Sequence, residues 1–223
     1  IPNNNVNTIG QWENGKGYEI LLDGFEDNTL SVMGYAINPY TEITLQPLLV
    51  NNVAYLLDSP TSVASVFEDS ESILVVADDQ GHYYIPEYNL NTIDSSGGMQ
   101  PGKGYKVLIS GTESIEFVYG EADDTALGRN LSIVGASENY NVTRTGISHP
   151  IIIDDLSGLV SDGDELIAYA DGVPVGVTTI NTDDTNLLVA WKSLYEYGID
   201  TDGYYDGDQI ELRLFSQELG EEL

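Results

Sequence analysis

The chain alternates short apolar runs with Gly, Asp and Asn, and helical periodicity is almost absent. Runs at Ile73–Ala77, His82–Ile85, Lys106–Ser110, Leu131–Val134, Ile151–Ile153, Glu165–Ala170, Val173–Ile180, Leu187–Trp191 and Gln209–Phe215 are rich in β-branched and aromatic residues. Such runs, bounded by turn formers, read as the strands of a sandwich. Asp78-Asp79-Gln80-Gly81 reads as the turn between two of them. Asp171-Gly172 reads as a two-residue hairpin turn, because both residues tolerate positive φ. A single short helix is predicted at Ser62–Phe67, capped by Thr61 or Ser62. The expected fold is all-β: two or more β-sandwich or β-barrel-like modules in tandem, with very little helix.

The pattern also repeats. IPNNNVNTI at Ile1–Ile9 and IPEYNLNTI at Ile85–Ile93 share Ile, Pro, two Asn, Thr and Ile at a constant offset of 84. WENGKGY at Trp12–Tyr18 then faces MQPGKGY at Met99–Tyr105 at an offset of 87, so the loop Asp94–Gly98 carries a three-residue insertion. Agreement over this many positions makes the two segments homologous. Each GKGY is expected to lead into a strand, Glu19–Leu22 in the first copy and Lys106–Ser110 in the second. The first copy starts in its middle. Residues 1–29 are therefore expected to be the C-terminal part of a truncated repeat, in a natural protein that extends N-terminally. Residues 30–120 form the complete copy, Gly120–Asp124 a polar boundary, and 121–223 a β-sandwich domain of a second type without GKGY. A broken β unit leaves an edge that another chain can complete.

The stretch Ser62–Ser110, SVASVFEDSESILVVADDQGHYYIPEYNLNTIDSSGGMQPGKGYKVLIS, resembles a module of large cell-surface and secreted proteins of Bacteroidota. Its pattern there is an apolar strand, a Gly turn, an aromatic-Pro step, Asn-Thr-Ile, then Pro-Gly-x-Gly-Tyr and a strand. GDELIAYADGVPVGVTTI (Gly163–Ile180) and DGYYDGDQIELRLF (Asp202–Phe215) are similar to a β-sandwich unit that accompanies it. The resemblance implies an extracellular, surface-exposed protein associated with type IX secretion.

Charge narrows the function classes. Among 223 residues there are 7 Lys+Arg and 37 Asp+Glu, a net charge of −30. So few basic residues supply no patch for neutralising phosphates, which argues against nucleic acid and against electrostatic docking on anionic lipid. No apolar run approaches the roughly 18 residues of a membrane helix. Hydrophobic residues still make up 41%, an ordinary share for a folded chain. Cysteine is absent, which removes disulfides, Cys-ligated metals and a Cys nucleophile. His82 and His149 are the only histidines, so a Ser-His-Asp triad would need one of them. The acidity fits solubility in high salt, calcium loading or plain anti-aggregation charge.

Candidate chemistry is sparse. Gly15-Lys16-Gly17-Tyr18 and Gly102-Lys103-Gly104-Tyr105 are not phosphate loops, which need GxxxxGK[ST] opening a helix; here a strand follows, with Tyr packed inward. The segment Asp200–Asp208 offers Asp200, Asp202, Asp206 and Asp208 as ligands for calcium, a hard cation that takes carboxylate oxygens. It is not an EF-hand, because Tyr204 and Tyr205 occupy the fifth and sixth loop positions. The acid pairs Asp78-Asp79, Asp154-Asp155 and Asp183-Asp184 read as solvated loops. Tyr83, Tyr84 and Tyr88 cluster in sequence, as do Tyr195, Tyr197, Tyr204 and Tyr205. Exposed Tyr beside Asp forms sugar-binding platforms, which makes Tyr83, Tyr84, Tyr88, Tyr204 and Tyr205 candidate ligand-binding residues. With no catalytic constellation in view, the expected role is a non-catalytic structural or adhesive module of a larger cell-surface or filament protein. Its partners would be other modules of the same or neighbouring chains, and the alternative is a carbohydrate-binding module recognising surface glycans.

Overall fold

The structure, a computed structural model, describes residues 8–22, 29–31, 33–120, 137–154, 156, 158 and 160–223. The chain divides into two compact units, Ile1–Asp78 with His82–Leu131, and Asp79–Gly81 with Ser132–Leu223. Apart from Gly120, the expected boundary Gly120–Asp124 lies outside the described residues, as does the expected strand Leu131–Val134.

In the first unit the elements run β1 (Ile43–Leu45), β2 (Asn51–Ala54), α1 (Val63–Val66), β3 (Ile73–Ala77), β4 (Tyr83–Ile85), β5 (Leu90–Asn91), α2 (Thr92–Ser95), β6 (Gly104–Ile109) and β7 (Ile115–Phe117). Five strands form an antiparallel sheet in the order β2-β6-β3-β4-β5, and β1 pairs separately with β7. The period-2 pattern of β6 sends Tyr105, Val107 and Ile109 inward, at 3%, 0% and 0% exposure. They join Leu45, Val53, Val63, Val76, Ile93, Met99 and Tyr119 in one core. Burying each large side chain contributes about 1.5–3 kcal/mol relative to leaving it exposed. The Tyr119 hydroxyl donates to the Ala54 carbonyl at 3.1 Å, and burial pushes this phenol well above the usual tyrosine range.

The predicted helix is present and short. Ser62 caps α1 by accepting from the Ser65 N–H at 3.3 Å. A second helix, α2, was not expected from the pattern. Its N-cap Asn91 accepts from the Asp94 N–H at 3.0 Å and donates to the Asp94 carboxylate at 2.7 Å. That carboxylate also accepts from Ser62 Oγ at 2.6 Å and from the Val63 N–H at 2.7 Å, which ties the starts of both helices together.

The second unit contains β8 (Ser148–Ile153), β9 (Glu165–Ala170), β10 (Val173–Thr179), β11 (Asn186–Trp191), β12 (Ile210–Ser216) and β13 (Glu221–Glu222). One sheet runs β10-β9-β12-β13, and β8 pairs with β11. All six residues of β9 are buried, because the ELIAYA run sits between two apolar layers. On one face Leu166, Ala168 and Ala170 pack with Val175, Leu188 and Ala190; on the other Ile167, Tyr169 and Val177 pack with Tyr140, Val142 and Phe215. Asp171 and Gly172 both take positive φ, 47° and 78°, in the β9–β10 hairpin turn the dipeptide predicts. The architecture is sandwich-like and all-β, with several antiparallel sheets and no closed barrel among the described residues. Among those residues no helix is long and apolar enough to cross a membrane.

Candidate functional site

Two places gather the residues that the sequence singles out. The first is a hollow of about 290 Å³ in the second unit, lined by His149 and Ile151 of β8, Ala190 of β11, Ile210 of β12 and the loop Tyr204–Asp208. Backbone pairing fixes that loop. Tyr204 N–H donates to the Trp191 carbonyl at 3.0 Å and the Tyr204 carbonyl accepts from the Ser193 N–H at 2.9 Å. Gly203 is required just before it, since a Cβ there would run into the backbone of Lys192 and Ser193. Asp208 closes the turn by accepting from the Tyr205 N–H at 2.7 Å, while its own N–H donates to the Tyr205 carbonyl at 3.0 Å.

The structure shows the four loop aspartates as follows. Asp200, Asp202 and Asp206 are exposed, and among the described residues no group of three or more His, Asp or Glu side chains is placed to hold a metal ion. Asp206 pairs instead with Lys192 at 2.7 Å, and Glu196 approaches the same ammonium at 3.3 Å. These bonds, Asp206 first, hold the Lys192 ammonium above its ordinary pKa. The aromatic residues divide in the same way. Tyr205 is 42% exposed and meets Tyr195, 64% exposed, edge to face with centroids 6.4 Å apart, whereas Tyr204 packs against the core. The hollow can therefore offer one open phenol, an imidazole and two carboxylates to a polar ligand.

The Tyr83-Tyr84-Tyr88 group is not a surface cluster. Tyr83 is buried at 3%, Tyr84 packs partly buried against the core, and only Tyr88 is exposed. Alternation along β4 puts neighbouring rings on opposite faces, which spacing in sequence hides. His82 lies at the start of that hairpin, with Nδ1 2.7 Å from Asp78 Oδ2, a local tie across the turn.

The second place is the repeat itself. In the complete copy the Gln100 N–H donates to the Tyr105 hydroxyl at 2.7 Å; in the first copy the Glu13 N–H donates to the Tyr18 hydroxyl at 2.7 Å. The Lys103 N–H reaches the Gln100 carbonyl at 3.2 Å, and the Lys16 N–H the Glu13 carbonyl at 3.4 Å. Gly102 has φ 80° and Gly15 φ 77°. One sequence motif thus builds one turn twice. The copies also touch. Gly17 N–H donates to the Asn52 carbonyl at 2.9 Å and Ala54 N–H to the Gly15 carbonyl at 3.0 Å, so the first copy pairs with β2, whose other neighbour is β6. A Cβ on Gly104 would stand 3.4 Å from the Gly17 Cα.

Beyond Gly17 the copies diverge. The expected strand Glu19–Leu22 forms no strand ladder among the described residues, although Glu19 meets Lys106 at 3.4 Å, and Ile20 and Leu22 are 57% and 51% exposed.

Comparison with known proteins finds no matching family model, no similar curated protein and no similar solved structure.

Proposed function

We propose that this chain is a non-catalytic structural or adhesive β module of a larger extracellular protein, at the cell surface or in a filament. The observation that supports it most is the packing of one repeat copy on the other at equivalent positions. Repeat proteins build extended arrays from such nearest-neighbour contacts, each unit covering the next. A net charge of −30 keeps the units of such an array apart wherever they are not meant to touch. The partners are other modules of the same or neighbouring chains, and the resemblance to Bacteroidota surface proteins is what points to export. Labelling of intact source cells with an antibody against the chain tests the location; signal only after permeabilisation would overturn it. Removal of residues 1–22 tests the array: the midpoint of the first unit should fall by several degrees, and an unchanged midpoint would remove the structural reading.

A second reading has an observation of its own. Tyr205 and Tyr195 stand open beside the hollow that holds Asp206 and Asp208, a pairing of apolar ring and carboxylate suited to a sugar. A glycan array with the native chain and Tyr205→Ala decides it, since binding must appear and must then be lost.

A further inference from the structure

We propose that the hollow beside Tyr205 takes an amino sugar, a pyranose ring bearing a protonated amine, in preference to a neutral or an acidic sugar. The inference rests on the sugar reading above and names the class of sugar which that reading leaves open.

The apolar lining sets the shape of the ligand. Ile151, Ala190 and Ile210 line the hollow, and Tyr205 stands at it 42% exposed. All of these residues belong to the second unit. A volume of about 290 Å³ lies at the small end of ligand sites and suits one ring. A pyranose offers such a lining the flat C–H face of its ring and keeps hydroxyls at its edge for polar partners. His149 adds an imidazole that can bond to one of those hydroxyls. A straight alkyl amine is too thin to cover the same surface.

Charge then selects among sugars. Asp206 and Asp208 both line the hollow, and each carboxylate is half used. One oxygen of Asp206 holds the Lys192 ammonium at 2.7 Å, and one oxygen of Asp208 accepts from the Tyr205 N–H at 2.7 Å. The second oxygen of each makes no hydrogen bond among the described residues. Cations are not on offer in the same way. From Lys192 to Arg213 the chain carries six carboxylates and two basic side chains. Both basic side chains are already ion-paired, Lys192 with Asp206 and Glu196, Arg213 with Glu211 and Glu222. A uronate or a sulfated sugar therefore meets like charge here. A protonated amine meets two carboxylates, with the Tyr205 ring beside them as a further partner for a cation. Attraction of this kind near a protein surface is enough for a preference of about tenfold.

The test compares ligands that differ in charge at one site. The Tyr205 and Gly207 amides are followed by NMR as a chitosan oligomer, an N-acetylated chitin oligomer of the same length, an oligogalacturonate or spermidine is added to the native chain near neutral pH. The chitosan oligomer should bind at least about tenfold tighter than the chitin oligomer, with no response to the galacturonate and a weaker one to spermidine. Asp206→Asn, which keeps the shape and removes the charge, should bring the chitosan and chitin oligomers to within about twofold of each other, and Tyr205→Ala should abolish both. Should Asp206→Asn fail to fold, salt replaces it. Raising NaCl from about 0.05 to about 0.5 M must then weaken the chitosan oligomer and leave the chitin oligomer unchanged. Equal or tighter binding of the chitin oligomer or the galacturonate overturns the charge selection and leaves the sugar reading standing. So does a preference that survives both Asp206→Asn and salt. No response to any of the three sugars overturns both readings. Spermidine binding as tightly as the chitosan oligomer overturns the proposal too, because the site then takes a bare amine and not a ring.

Discussion

Glu19 and Lys106 occupy the same position in the two repeat copies and meet as an ion pair at 3.4 Å. Gly17 and Gly104, two positions earlier in each copy, are in near contact as well. The copies are therefore packed in register with each other. Opposite charges at one repeat position let like segments face each other without repulsion. Both side chains are partly exposed, so the pair itself contributes at most about 1 kcal/mol. It marks the register more than it holds it.

The close approach at Gly17 holds it more firmly. A Cβ there would stand 3.0 Å from the Val53 carbonyl oxygen and 3.2 Å from the Val53 nitrogen. Gly17→Ala should cost about 1–2 kcal/mol and unprotect the Ala54 amide, while Lys106→Glu should change stability by less than about 1 kcal/mol. Thermal unfolding and hydrogen exchange on both variants check the ranking. Equal effects would mean that charge, not backbone contact, sets the interface.

Asp94 is the polar keystone of the first unit. Its carboxylate is buried and accepts from Ser62, Val63 and Asn91. Asp94→Ala leaves those donors unsatisfied and should destabilise by about 3 kcal/mol, whereas Asp94→Asn should cost less, because one oxygen remains to accept. Chemical denaturation measures both. A loss below about 1 kcal/mol for Asp94→Ala would show that water replaces the carboxylate.

In the second unit Glu222 accepts from the Tyr169 hydroxyl at 2.6 Å and the Tyr140 hydroxyl at 2.7 Å, with Arg213 at 3.4 Å. The Tyr169 bond first, then Tyr140 and Arg213, holds its carboxyl below the usual range. A depressed folded pKa means that the stabilisation is complete above the ordinary glutamate value of about 4.3 and is lost as pH falls through the lower folded value. Glu222→Gln should therefore unfold more easily than the native chain at pH 7, and the two should converge toward pH 3. Midpoints measured over that range check it. A gap that stays constant would assign the effect to packing.

Charge gives the widest prediction. With 37 acidic and 7 basic residues, folding draws like charges together, and salt at about 0.15 M screens them over roughly 8 Å. The unfolding midpoint should rise with NaCl. Calcium bound through Asp200, Asp202, Asp206 and Asp208 would have to displace Lys192 from Asp206. Unfolding in about 0.5 M NaCl with EDTA, Mg²⁺ or Ca²⁺ separates screening from a site. Equal midpoints leave only a solvated acidic surface. A rise specific to Ca²⁺ that vanishes in an Asp202→Ala, Asp206→Ala double variant places the ion in this loop.

Much of the fold was legible because its signals are local. The limits of β3 and β9 match the runs ILVVA and ELIAYA, and Asp171-Gly172 turns where two residues of positive φ are needed. The helix α2 was not legible. Four residues carry no period, and α2 depends on Asn91 and on an Asp94 carboxylate that reaches across to α1. The aromatic sites were half legible. Composition marked the tyrosines, but only strand alternation decides that Tyr83 faces the core, and only the loop's pairing with Trp191 and Ser193 decides that Tyr205 opens outward.

The sequence by itself determined that the chain is β, strongly acidic and internally repeated, because turn chemistry, alternation and charge are properties of neighbouring residues. It also determined that two GKGY turns would be alike, since Gly at positive φ and a Tyr hydroxyl five residues from its donor are local demands. Tertiary structure decided the rest: that one of the four aspartates, Asp206, pairs with Lys192, and that the two turns meet in register. It also decided that Ile20 lies exposed where Val107 is buried. The same apolar residue type, at the same repeat position, is core in one copy and surface in the other, because burial depends on the strand beside it, and that strand is distant in sequence.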